Sequence, residues 1–403
     1  MKTIPFRSLI LIGLLNLAIV ALFGALMRYK IAFDFPLLPQ KNAQQAHSHF
    51  AFAGWVSHML FTLLFYYQYK FKPQIKTGPY LWMIALNLLA SFGMLVSFTV
   101  SGYSPVSIVF SSVTIIVAIV LAYLFIKDSK NVTELKPSRP WLVTGLLLHI
   151  ISSAGPLMLA YMIVNKDITE KMYLGSVYWL LHFEYNGWFF FGCMALAMLW
   201  IAKSNISLKR EFAILLVCSL PTYFLSTLWA KLPQWLYLLT AISAFVQLFA
   251  WGMILQKLWK NRSNISLGWP KALQALLYIV MGALTIKFIL QAISTQPHIS
   301  QLVFGFRAIV IAYLHLVLLG VISLFLLLFL HTEKFVGTGK NAIKALWFFT
   351  IGVFLNEFIL LIVGVASFAY FPVPYSNQAL FIVALMLLGG ALWMWGVQTR
   401  SAE

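Results

Sequence analysis

The chain has 403 residues, of which 62% are hydrophobic and 9% charged, with a formal net charge of +18. Soluble domains use about 45–50% apolar residues, so this composition and a mean hydropathy of +0.89 exclude a water-soluble globular fold. The basic excess is read by position, as a membrane topology signal, and not as a nucleic-acid footprint.

Apolar runs of helix length recur along the whole chain. The first seven are Pro5–Met27, Ala43–Tyr69, Pro79–Ser101, Pro105–Ile126, Pro140–Val164, Leu174–Ala202 and Glu211–Ala230. Five more follow: Trp235–Leu258, Ala272–Ser294, Gln301–His331, Ala342–Phe371 and Asn377–Gln398. Each can cross roughly 30 Å of hydrocarbon as a helix rising about 1.5 Å per residue. An unclosed strand there would leave backbone groups unpaired at several kcal/mol each. The expected fold is therefore an all-α membrane bundle of about twelve helices, one integral membrane domain over residues 1–403, with lipid as its main partner.

Placing the N-terminus inside puts about 20 of the 28 basic residues on the cytoplasmic side, from Lys2 and Arg7 through Lys334, Lys340 and Lys344 to Arg400. Arg28, Lys30, Lys41, Lys166, Lys171, Lys231 and Arg307 fall outside. The positive-inside rule then gives an inner-membrane protein with both termini cytoplasmic. The first run is too long for a signal peptide and precedes no small-residue cleavage site, so it reads as a membrane helix. Cys193 and Cys218 lie in apolar runs and read as small hydrophobes. Pro156 and Pro221, inside runs, predict kinks. No internal repeat is evident. Most Trp and Tyr read as an interfacial belt, but Trp55, Trp179, Trp188 and Tyr313 fall beside ionisable residues inside runs.

Of eight histidines, His298 reads as a loop residue and His331 as a helix end. His47, His49, His58, His149, His182 and His315 lie within runs. Ionisable groups inside a membrane are costly and face a cavity, a partner or a cofactor. Six neutral imidazoles with few acids point toward iron or another metal. His47 and His49 stand about 200° apart on a helix, so one can bind and the other cannot face the same target. His58, eleven residues beyond His47, returns to nearly the same face about 16 Å deeper.

His47-Ser-His-Phe-Ala-Phe-Ala-Gly54 resembles the His-Thr-Asn…Gly pattern on the second helix of the heme–copper oxidase and nitric oxide reductase superfamily. Ala312-Tyr-Leu-His315 resembles that superfamily's His-x-His on the tenth helix, with Tyr313 at the high-spin heme position. His182-Phe-Glu-Tyr-Asn186 is similar to its copper-binding His-Pro-Glu-Val-Tyr on the sixth. The resemblance implies a low-spin heme b ligated by His47 and His315, in a fold like cytochrome oxidase subunit I. It also implies a degenerate copper site, because the seventh run contains no histidine and Asn186 replaces the tyrosine. A second heme, or copper held by His182 and His49, is the further cofactor it leaves open. Quinol or cytochrome c is the implied electron donor, with an accessory subunit as a further partner.

Glu184, Lys287 and Glu357 are intramembrane ionisable groups that read either as a proton path or as pairs locking helix packing. Arg307, near the outer end of the tenth run, suits a heme propionate or snorkels to the interface. Three functions follow: a redox cytochrome acting on O2 or NO, a heme-based gas sensor or NO-tolerance protein without turnover, and a proton- or cation-coupled transporter or assembly factor. No Gly-rich phosphate loop, CxxCH or His-Glu-x-x-His motif is present, so nucleotide, covalent-heme and protease chemistry find no support.

Overall fold

The computed structural model describes residues 4–33, 35–204, 206–265 and 268–400. Among the described residues, twelve helices are long and apolar enough to cross a membrane. They are α1 (Phe6–Phe33), α2 (Gln40–Phe71), α3 (Thr77–Ser101), α4 (Pro105–Asp128), α5 (Arg139–Asn165) and α6 (Glu170–Ser204). The rest are α7 (Lys209–Ala230), α8 (Gln234–Lys260), α9 (Lys271–Ile293), α10 (Arg307–Thr332), α11 (Lys340–Phe368) and α12 (Ser376–Thr399). The chain is a multi-pass membrane protein, and each apolar run corresponds to one helix.

The departures from the runs have local causes. The tenth run divides at Phe306, whose backbone is extended, into a short helix Pro297–Gly305 and α10. α5 breaks at Ser153 into Arg139–Ser152 and Ala154–Asn165, because the Pro156 ring crowds the carbonyl four residues back and cannot donate to it. α7 tightens from an α-helix ending at Ser219 into a 3₁₀ segment from Pro221, with Thr227 leaving helical geometry at φ −123° and ψ 16°.

Sequence reading does not anticipate that three helices widen into π-helical turns, at Phe50–Ser57 in α2, Phe183–Phe189 in α6 and Leu316–Ser323 in α10. Each follows directly on a histidine, His49, His182 or His315, and each holds a glycine five residues after it, Gly54, Gly187 or Gly320. In α2 and α6 the match extends to His-Phe-x-Phe/Tyr-x-Gly-Trp, over His49–Trp55 and His182–Trp188. The shared stretch is a local motif of seven residues. The match is too short to see until the shared backbone register aligns it.

The helices pack as two compact units, Met1–Asp128 with Ser323–Glu403, and Ser129–Ile322. In the first, α1 lies against α12 and α2, α3 against α2 and α4, and α11 against α12. Its core is aromatic, with Phe50, Phe61, Phe65, Tyr80, Phe98 and Phe125 fully buried. In the second, α6 packs on α5, α7 on α8, and α8 on α9, around buried Trp141, Phe183, Trp188, Phe189 and Phe191. Gly155 lets α5 approach α6: a methyl group there would come within 2.5 Å of the Ser176 carbonyl oxygen and 2.9 Å of the Leu180 nitrogen. The central stretches of α2 and α6 are 83% and 72% buried, against 28% for α4. His47, His49, His58, His182 and Glu184 sit on those two largely buried helices.

Candidate functional site

In the first unit the histidines of α2 face two different neighbours. His47 gives Nδ1–H to the Val20 carbonyl of α1 at 3.1 Å. His49 turns to α3, stacked on Phe98 at 4.4 Å with the rings 11° apart, and its Nε2 lies 3.4 Å from the Tyr103 hydroxyl. The two rings thus diverge, as a two-residue step on a helix requires. His58, fully buried, also meets α1, giving Nε2–H to the Leu9 carbonyl at 2.8 Å. His47 and His58 therefore share the α1-facing side, as their spacing predicts.

Two carbonyls of the α2 π turn also accept side-chain hydrogen bonds, in addition to the ladder bond that the His58 N–H gives to Ala53. Buried asparagines supply them: Asn16 of α1 donates to the Gly54 carbonyl at 2.6 Å, and Asn87 of α3 donates to that of Ala53 at 2.9 Å. Trp55 Nε1–H donates to Ser323 Oγ of α10 at 2.9 Å. Each such hydrogen bond contributes about 0.5–1.5 kcal/mol and pairs the amide of an asparagine buried on an otherwise apolar helix. His331, at the end of α10, gives Nδ1–H to the Leu327 carbonyl at 2.8 Å and is buried.

In the second unit, His315 gives Nδ1–H to the Ile311 carbonyl at 2.8 Å, one turn earlier in α10. Tyr313 meets the Tyr185 ring edge-on at 6.1 Å. The α6 histidine is bound on both sides. His182 gives Nε2–H to the Ser219 carbonyl of α7 at 2.8 Å, and its Nδ1 accepts from Asn186 Nδ2 at 3.1 Å. An imidazole so held offers a metal no nitrogen unless one bond breaks. Glu184, 4% exposed, accepts on one oxygen from His149 Nδ1 at 2.8 Å and from Ser152 at 2.6 Å. Trp188 stacks on His149 at 5.3 Å, and Trp179 donates to the Ile151 carbonyl at 2.8 Å. Of the aromatic residues singled out from sequence, Trp188 lies directly against the His149–Glu184 pair.

The remaining candidates are scattered. Lys287, 3% exposed, lies over the Phe288 ring at 4.0 Å and near that of Phe190 at 5.8 Å. Glu357 is half-buried, not buried as its run implied, and accepts from Asn356 at 3.0 Å. Arg307 is exposed at the N-terminus of α10. Cys193 and Cys218 are free thiols. Among the described residues, no group of three His, Cys, Asp or Glu side chains is gathered as a metal cluster. Sequence reasoning missed Asn16 and Asn87; the available signal was an amide in the middle of an apolar run.

No protein-family model matches the chain, and no curated protein matches it in sequence. Among solved structures, the chain is similar to a heme-copper terminal oxidase determined as a dimer by cryo-electron microscopy. The two superpose with a TM-score of 0.69 at 13% identity, over 99% of this chain and 84% of that one. The fold is that of the heme-copper oxidases, arrived at independently of the three short motifs.

Proposed function

We propose that the protein is a heme-binding membrane cytochrome, with a low-spin heme b ligated by His47 and His315, acting in electron transfer or in O2 or NO chemistry. The observation that carries this reading is the common state of those two imidazoles. Each gives Nδ1–H to a backbone carbonyl, of Val20 or Ile311. That second hydrogen bond sets the tautomer and ring orientation with which a histidine ligates iron through Nε2. The donor chemistry fits heme.

A heme held by two imidazoles supplies one-electron transfer at a potential set by its ligands and burial. The chain's own part is to hold both rings in place and exclude water with the aromatic cores around α2 and α6. Quinol or cytochrome c is the proposed donor, an accessory subunit a proposed partner, and the inner membrane with cytoplasmic termini the proposed setting. A second reading, a gas sensor or NO-tolerance protein without turnover, is favoured by one observation: His182 has both nitrogens engaged while α7 has no histidine, which argues against a three-histidine copper centre.

Protein purified in detergent from cells supplied with heme is expected to show a Soret band and the reduced-minus-oxidised spectrum of low-spin bis-histidine heme. A colourless preparation would favour the transporter or assembly reading. Stoichiometric copper with rapid oxygen consumption would contradict the degenerate centre, whereas gas binding without consumption would select the sensor.

A further inference from the structure

In the first unit, the start of α1, the turn between α10 and α11, and the end of α12 form an open cavity of about 500 Å3. Its lining includes apolar Phe6, Ile10 and Val336 and two cations, Arg7 and Lys334. We propose that this cavity binds the phosphate of an anionic phospholipid, its acyl chains lying along the apolar side of α1.

Basic residues at this end of the bundle would exist for topology alone, but topology does not require a walled recess with a fixed floor. The Phe6 ring packs on Phe65 at 5.1 Å and on Tyr66 at 5.2 Å, and Tyr66 meets Phe335 edge-on at 4.6 Å. The floor is Gln398, 5% exposed, whose Oε1 accepts from the Gly337 backbone at 2.7 Å. Arg7 donates to the Gln398 carbonyl at 3.2 Å. One such bond anchors the guanidinium while its remaining N–H groups can meet a phosphate.

Charge in the recess is one-sided. No acidic side chain lines it. The carboxylate beside it in sequence, Glu333, accepts from the Tyr67 hydroxyl at 2.6 Å. α11 begins next to the turn, with Gly339 as its N-cap and no acidic residue in its first turn, so the positive end of a long helix dipole adds to the two cations. Cations at the membrane surface with apolar residues in the same lining match a charged headgroup on hydrocarbon tails, and basic pockets between helices bind such headgroups. A free phosphate shares the first half of that chemistry and not the second.

The test measures the melting temperature of the full chain in detergent against added phosphatidylglycerol, phosphatidylcholine or inorganic phosphate. Phosphatidylglycerol is expected to raise it, and the other two to leave it unchanged. Each basic residue near an anionic surface contributes about five-fold in binding, so Arg7→Gln with Lys334→Gln should need roughly 30-fold more phosphatidylglycerol for half the shift. The charge-matched control, Lys76→Gln with Lys127→Gln, should need no more than the wild type. If the first pair does not fold, each single substitution is expected to weaken binding about five-fold. No shift with phosphatidylglycerol, an equal shift with phosphatidylcholine or phosphate, or an equal loss in both pairs would overturn the proposal.

Discussion

α2 and α6 carry the same seven-residue pattern on the same widened backbone, yet they dispose of their polar groups in opposite ways. In α6 the polar residues lie inside the pattern and close on their neighbours: Glu184 gathers His149 and Ser152, and Asn186 with the Ser219 carbonyl occupies both nitrogens of His182. In α2 the corresponding positions are Ala51 and Ala53. The widened carbonyls are met from outside by Asn16 and Asn87, and the additional histidine, His47, is tied through Nδ1. One backbone device thus supports a closed polar knot in one unit and, in the other, an imidazole tied through Nδ1 to a backbone carbonyl. The residues between the shared histidine and glycine decide which.

The largest expected effect tests the ligand assignment. His47→Ala and His315→Ala should each abolish the low-spin spectrum, while His49→Ala should retain it with at most a shifted potential. His49 stands in the register that His182 and His315 occupy, directly before the π turn. A retained spectrum in His47→Ala and a lost one in His49→Ala would therefore move the ligand by two residues and make the two patterns functionally alike.

Next in size is the cost of removing the asparagine bonds to the π carbonyls. Asn16→Leu combined with Asn87→Leu should destabilise the first unit by roughly 1–3 kcal/mol, from about 0.5–1.5 for each hydrogen bond lost. Thermal unfolding in detergent measures this. Stability within about 0.5 kcal/mol of wild type would show that the π turns satisfy themselves.

The α6 knot offers the converse. His182→Phe should cost about 1–3 kcal/mol by removing the acceptor of the buried Asn186 amide, the Ser219 carbonyl keeping its bond from Thr222 Oγ1 at 3.3 Å, and should leave the heme spectrum intact. Loss of the spectrum would mean that His182 serves a cofactor and that its closed bonding is not the functional state. The smallest effect is expected at Glu357→Gln, within about 0.5 kcal/mol, because a half-buried group beside its own neighbour Asn356 loses little. An effect on electron or proton transfer rates there, with stability unchanged, would restore the proton-path reading of α11.

The twelve spans were legible in the sequence because hydrocarbon tolerates only closed hydrogen bonding, so apolar length alone dictates helix. Pro156 and Pro221 marked their breaks for the same local reason, a missing donor and a steric ring. The divergence of His47 and His49 also followed from residue count, since two steps on any helix point opposite ways. What no run or spacing could supply was the π register, or that Asn16 and Asn87 of neighbouring helices bond to its carbonyls. Nor could sequence tell that His182 is held on both nitrogens and His47 through Nδ1 to Val20, because those partners lie 37 and 27 residues away along the chain. Periodicity fixes which side of a helix a group occupies. Only the packing of other helices against that side decides whether the group finds a partner there.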